Sequence, residues 1–333
     1  MQRFINDPDF VVDDMLRGFA KAHADKVYIS RDNDHVVAIR ERDRKRKIGL
    51  ISGGGSGHEP AFLGYVGRGS LDAVAVGEVF ASPPAETFYD AMIAANYNNE
   101  VIGLLGNYAG DVMNFKMAAD MAKQDGITAR YVTAHDDIAS AKKGDEQNRH
   151  GIAGGYFMWK IGGARANEAA TADEIILSVQ NVVNKTRSIV VGLSSLTIPS
   201  VGKPNFTVEP GKMEFGIGHH GEPGIETADL AEADGVAEKM TQALLDDFEF
   251  DRPRHVAVMI SGLGAMPMME AYILYNKVEE VIRNAGHRID HVYIGNFVTS
   301  LNMNGVSLTI VELDDEIERL LTEPDVPVGL ENY

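Results

Sequence analysis

The feature that most constrains the fold is a rhythm of short apolar run, loop and helical stretch, repeated along the 333 residues. Ile48 to Ile51 is too short for a helix and stops at Ser52-Gly53-Gly54-Gly55-Ser56-Gly57-His58-Glu59-Pro60, so it reads as a buried strand feeding a glycine-rich loop. A helix is expected over Pro84 to Asn96. Val101 to Leu105 then supplies a second strand, Gly106 to Gly110 a loop, and Asp111 to Gln124 a helix with Asp111 in its opening position. The third occurrence is Ala129 to Thr133. It is closed by His135-Asp136-Asp137 and followed by a charged segment, read as exposed, that ends at Arg149-His150-Gly151. Helical spacing continues to about Asn184, and a further helix opens the chain between Asp9 and Ala24.

A second series begins with a strand over Ser188 to Ser194. An extended stretch from Phe206 to Gly218 leads to a turn at His220, and a helix is expected from Thr227 to Asp246. After it come a strand over His255 to Ser261, a helix over Met268 to Asn284, strands near Val292 to Phe297 and Ser307 to Leu313, and a last helix over Asp314 to Thr322. Buried strands alternating with helices predict the α/β class, as two α/β domains, each a mainly buried sheet flanked by helices. The restart near residue 186 divides them into residues 1–185, with the glycine-rich loop, His58 and Asp111, and residues 186–333, with His220. Ligands of such sheets sit beyond the carboxyl ends of strands, where the loops at His58, Asp111 and His220 fall.

Composition narrows the function. Acidic residues number 49 against 31 basic ones, a net charge of −18 that repels nucleic acid and anionic membrane surfaces. The absence of cysteine excludes disulfides, thiolate metal sites and a cysteine nucleophile, and fits a reducing, cytoplasmic setting. No stretch approaches the roughly 18 apolar residues of a membrane helix, so no membrane partner is expected.

The glycines of Ser52 to Gly57 would let backbone amides approach an anion or an oxygen-rich ligand, and a tight structural turn would need them equally. No Lys-Ser or Lys-Thr pair follows, so no nucleotide cofactor is expected in this chain. His58, beside a glycine that favours exposure, suits acid–base work or capping of a carbonyl. Asp111 suits a helix start, and a functional role would need a partner group. His219-His220-Gly221-Glu222-Pro223-Gly224 reads as a turn that presents its side chains; the adjacent histidines point apart and no ligand set completes a metal site. Met113, Met117 and Met121 read as core filling, Trp159 as packing, and Asp136-Asp137 as a strand-end turn rather than a magnesium site.

Ser52 to Pro60, Gly77 to Pro83, Asn107 to Phe115 and Gly218 to Gly224, in that order, resemble the substrate-binding subunit of dihydroxyacetone kinases of the phosphotransferase-system-dependent type. Thr197-Ile198-Pro199, Gly202-Lys203-Pro204 and Thr299-Ser300-Leu301 extend the resemblance over nearly the whole chain. It implies a homodimer of two-domain subunits in which His220 bonds covalently, as a hemiaminal, to the carbonyl carbon of dihydroxyacetone or another small ketose. His58 and Asp111 would orient and deprotonate the hydroxyl that attacks phosphorus, with ligand contacts around Gly54 and Gly55. Polyols such as glycerol would be rejected because they offer no carbonyl carbon. ADP or ATP with magnesium is expected on a separate helical subunit, recharged by a phosphotransferase-system phosphoprotein. Gly106 stands where many such subunits have lysine, Met266 where threonine is usual, and His150 follows Arg149 where two arginines are common. Two readings accommodate these changes: a kinase subunit for a ketose such as erythrulose, or a ligand-sensing coactivator of a transcription regulator. Retention of His58, Asp111 and His220 together favours the kinase subunit.

Overall fold

A computed structural model describes residues 2–43 and 45–329. The chain runs through α1 (Val11–Ala22), β1 (Val27–Ile29), β2 (Val36–Ile39), β3 (Gly49–Ser56), β4 (Gly67–Arg68), β5 (Ala73–Val79), α2 (Ala85–Ala95), β6 (Glu100–Leu105), α3 (Ala109–Gln124), β7 (Thr128–Thr133), α4 (Gly155–Asn167) and α5 (Ala172–Asn184). It continues with β8 (Thr186–Gly192), β9 (Lys212–Phe215), β10 (Glu226–Asp229), α6 (Ala233–Phe248), β11 (His255–Gly262), α7 (Met268–Asn284), β12 (Arg288–Gly295), β13 (Gly305–Glu312), α8 (Asp315–Leu321) and β14 (Val326–Pro327). Among the described residues no helix is long and apolar enough to cross a membrane.

The first compact unit comprises the chain up to Ala134, Gly155–Asn181 and the chain from Glu316 onward. Its main sheet has the order β1-β2-β5-β3-β6-β7. β3 runs parallel to both β5 and β6, and β6 parallel to β7, so these strands end at one edge of the sheet. Ile51, Phe88, Met92 and Phe115 are buried at its centre, each contributing roughly 1.5–3 kcal/mol of apolar burial. Trp159 is buried as expected and donates Nε1–H to the Leu104 carbonyl at 3.2 Å.

The glycines expected to form a loop are instead the last turns of the pleat. β3 continues in register with β5 through Gly53, Gly54 and Gly55 to Ser56. Side chains are excluded there because neighbours fill their space. A Cβ on Gly53 would lie 2.6 Å from the Phe88 ring, one on Gly54 2.3 Å from the Phe62 ring, and one on Gly55 2.7 Å from the Ala81 nitrogen. Close packing within the unit therefore accounts for the glycines, which form extended strand and not the tight turn that the sequence suggested.

The second unit comprises His135–Gly154 and Val182–Asp315. Its sheet, β10-β9-β8-β13-β11-β12, is antiparallel apart from the β11–β12 pair. Met240 and Leu244 of α6 and Val278 and Ile282 of α7 bury against Ile189, Val258 and Ile310. The chain changes sheet near residue 186, but the units are not consecutive halves. Residues 135–154 join the second unit because Ser188 N–H donates to Asp136 O at 2.7 Å and Ile138 N–H to Ser188 O at 3.0 Å. Arg149, buried, adds a two-pronged pair with Asp247 at 2.8 and 2.7 Å. The end of the chain returns to the first unit, where β14 pairs antiparallel with β4.

Three local readings are corrected by packing. The charged segment after Asp137 is exposed at Lys142 to Asp145, as read, but its end is not, since Arg149 is buried; Asp136, before it, is buried too, and its carboxylate accepts from Ile152 N at 3.1 Å and Gly154 N at 2.9 Å. Residues 227–229 belong to β10, paired with β9, and the helix starts only at Ala233. Met113 and Met117 are 58% and 54% exposed, because α3 packs through Phe115, Ala118 and Ala122 on its other face.

Candidate active site

The parallel strands of the first unit deliver three loops from one edge. After β3, Gly57 takes a φ of 104°, and its N–H donates to both carboxylate oxygens of Glu59, at 3.0 and 3.2 Å. Burial raises the Glu59 carboxyl and the Gly57 hydrogen bond draws it back. His58 is buried rather than exposed, because its ring stacks on Phe80 with centroids 4.9 Å apart. Phe80 sits just beyond β5 with a φ of 57° and donates its N–H to Ser56 O at 3.0 Å, tying the second loop to the first. The third loop enters α3. Asp111 lies in the first turn of that helix and is buried. The positive end of the helix favours its carboxylate. Asn114 Nδ2 donates to Pro83 O at 2.7 Å, and a Cβ on Gly110 would meet Ser82 Oγ at 2.5 Å, so α3 starts directly against the 80–83 loop. His58 and Asp111 thus flank one loop, on elements anchored at the ends of β3, β5 and β6.

His220 belongs to the second unit and is held by a separate device. Gly218 N–H donates to Glu222 O at 3.1 Å and Gly221 N–H to Gly218 O at 3.0 Å, with Gly221 at a φ of 83°. This closed turn folds the Glu222 side chain back on the histidine: His220 N–H reaches Oε2 at 2.9 Å and ring Nδ1 lies 3.0 Å from Oε1. Burial would raise the Glu222 carboxyl, but the bond to His220, its charge and the backbone amides bring it down to about 2. An ionised carboxylate only accepts, so Nδ1 carries the proton. Asn205 Nδ2 donates to the His220 carbonyl at 2.8 Å, and Ser300 Oγ donates to that of His219. A Cβ on Gly218 would lie 2.1 Å from Glu222 Oε2, so glycine is required for the carboxylate to reach this position.

The expectation that this turn presents all its side chains holds only in part. The His220 side chain is 27% exposed, whereas His219 is buried and burial pushes its imidazole down to about 3. His150 also belongs to this unit. Burial lowers its imidazole, Glu222 opposes that shift and His220 adds to it. Glu222 and Phe80 are the residues that sequence reasoning left without a role. Glu222, two positions after His220 and between Gly221 and Pro223, was the more legible of the two. Among the described residues no three histidine, aspartate or glutamate side chains gather to hold a metal ion.

Two sheets flanked by helices, with a buried histidine and aspartate on strand-end loops of the first unit and a histidine oriented by a carboxylate on a glycine turn of the second, define an α/β protein. Residues 17–327 match the Dak1 domain, and the chain belongs to that family, which includes the substrate-binding subunits of dihydroxyacetone kinases. It is 38% identical over 328 residues to the dihydroxyacetone-binding subunit DhaK of PTS-dependent dihydroxyacetone kinase 2 of Listeria innocua, covering 98% of each chain. Among solved structures it resembles the dihydroxyacetone kinase of C. freundii in complex with AMP-PNP and Mg2+, with a TM-score of 0.90 and 30% identity over 98% of this chain and 60% of that one. It also resembles the dihydroxyacetone kinase operon co-activator Dha-DhaQ, with a TM-score of 0.88 and 28% identity over 95% of this chain and 97% of that one. Family membership supports a kinase-related role.

Proposed function

We propose that this chain is the subunit that binds dihydroxyacetone, or a related small ketose, in a multi-subunit kinase. The observation that carries the reading is the His220–Glu222 pair. With the proton on Nδ1 and that nitrogen engaged by Glu222, Nε2 has the lone pair that adds to a ketone. The N–C bond forms as the carbonyl π pair moves to oxygen; the oxygen gains a proton and Nδ1 gives one up, so the hemiaminal retains every atom of the ketose. Glu222 stabilises the positive charge that develops on the ring meanwhile.

Asp111 then accepts the proton of the terminal hydroxyl and His58 orients it, while Gly54 and Gly55 contact the ligand through their backbone. The phosphoryl group comes from a nucleotide with magnesium on a separate helical subunit, recharged by a phosphotransferase-system phosphoprotein. The subunit works as a cytoplasmic homodimer. A second reading, a ligand-sensing coactivator that carries the same hemiaminal, is favoured by the similarity to the co-activator structure. Burial of both His58 and Asp111 beside the 80–83 loop supports the catalytic reading, since a sensor needs only the binding histidine.

Intact-mass measurement with dihydroxyacetone tests the anchor. The gain of one whole ketose is expected, absent in His220→Asn and absent with glycerol. A gain in His220→Asn, or one short by a water as an amine adduct gives, would overturn it. Mixing with the nucleotide subunit and its phosphodonor tests catalysis: Asp111→Asn should retain the adduct and stop ketose phosphate formation. No turnover by the unaltered chain, with tight binding to a transcription regulator, would establish the coactivator instead.

A further inference from the structure

The second unit holds a cavity of about 200 Å³ that the ketose reading leaves unused. Val191 and Val306 of the sheet, Val236 of α6, and Ile273 and Leu274 of α7 line it. Met266, which stands where the family usually has threonine, completes the wall with a flexible thioether that adapts to an occupant. Two polar side chains interrupt this surface. Glu270, in the first turn of α7, is the one charged residue among the described lining residues. Asn304 is the other, and its buried Oδ1 accepts no hydrogen bond among the described residues.

These features specify a ligand class. The volume is below the ~300–1,000 Å³ of drug-sized pockets, so it suits a fragment-sized molecule and not a long chain. The Glu270 carboxylate attracts a cation and repels an anion. Leu230 and Ile273, 47% and 46% exposed, give the cavity an apolar rim open to solvent. We propose that this cavity is a second small-molecule site, selective for a small amphipathic amine whose aryl or branched alkyl group fills the apolar space and whose ammonium donates to Glu270.

The test titrates the full chain, labelled at its methionine methyl groups, with phenethylammonium, phenethyl alcohol and phenylacetate while following the Met266 resonance by NMR. Saturable shifts are expected with the amine, with an affinity about tenfold above that of the alcohol, and none with the acid. Glu270→Gln should bring the amine down to the affinity of the alcohol. Ala231→Trp, at the exposed rim, should block both without touching the core. Equal binding of amine and alcohol, binding of phenylacetate, an amine shift that survives Ala231→Trp, or no shift with any probe would each overturn the proposal. So would a Met266 resonance that follows protein concentration instead of probe, which would place a second copy over the cavity.

Discussion

Replacing Glu222 by glutamine tests the proposed ketose anchor without removing His220. The carboxylate takes two bonds from one residue, His220 N–H at 2.9 Å and Nδ1 at 3.0 Å. Glutamine has a single acceptor oxygen. If it keeps the backbone bond, its NH2 group faces Nδ1, which must then accept, and the ring proton moves to Nε2 and blocks the attacking lone pair. A shift from 4.5 to about 2 would correspond to roughly 3 kcal/mol in a dry site. The side chain is 43% exposed, however, and solvent screening reduces this to about 1 kcal/mol. A loss of about 1 kcal/mol of folding stability is therefore expected from the charge alone, and ketose affinity falls as well if the tautomer changes. Calorimetric titration of dihydroxyacetone, checked by intact mass, reads that affinity directly. The sign of the pH dependence of stability is also set: a depressed carboxyl contributes above 4.5 and its contribution is lost as the pH falls from 4.5 towards 2, as urea denaturation would read. The glutamine variant should lack that loss. Unaltered affinity together with an unaltered acid limb would refute the role assigned to the pair.

Two further expectations concern stability. Burial pushes the Asp137 carboxyl from 3.8 up to about 7, against a hydrogen bond from Ala139 N–H. The folded protein thus holds a proton that the unfolded chain has released, and wild-type stability falls as the pH rises through this window at up to ~1.4 kcal/mol per unit. Asp137→Asn retains the Oδ1 acceptor and should gain nothing near pH ~4 and as much as ~4 kcal/mol near pH ~8. Urea denaturation at the two pH values decides, and an equal gain at both would contradict the assignment. Gly55→Ala would put a Cβ 2.7 Å from Ala81 N and 2.8 Å from Phe80 Cα, both backbone atoms. It should cost about 1–3 kcal/mol and displace the ring under His58. Gly18→Ala, in α1 with open space around it, should instead add about 0.5–1 kcal/mol, so thermal melting of the two variants should move in opposite directions.

The α/β class, most of the helices, the strands β3, β6, β7, β8, β11, β12 and β13, and the motifs carrying His58, Asp111 and His220 were legible in the sequence, whereas β1, β2 and β5 of the first sheet were not. Local periodicity and turn chemistry specify elements one at a time, and ordered motifs identify the family. The helix over Met268 to Asn284 was readable to the residue for that reason. What depends on distant neighbours was not readable. Gly53 to Gly55 look like a loop until Phe62, Phe88 and Ala81 occupy the space of their missing side chains, and then they are strand. Met113 and Met117 have the spacing of a buried stripe, yet Phe115 and Ala118 face the sheet. Residues 135–154 precede the change of sheet and still join the second unit, because Ser188 and Asp247 pull them there. At the site, the sequence alone placed His220 on a glycine turn next to a glutamate. Only the tertiary fold decided that His219 is buried and that Glu222 closes on Nδ1, because burial and hydrogen-bond direction arise when separate elements meet in space and not from their order along the chain.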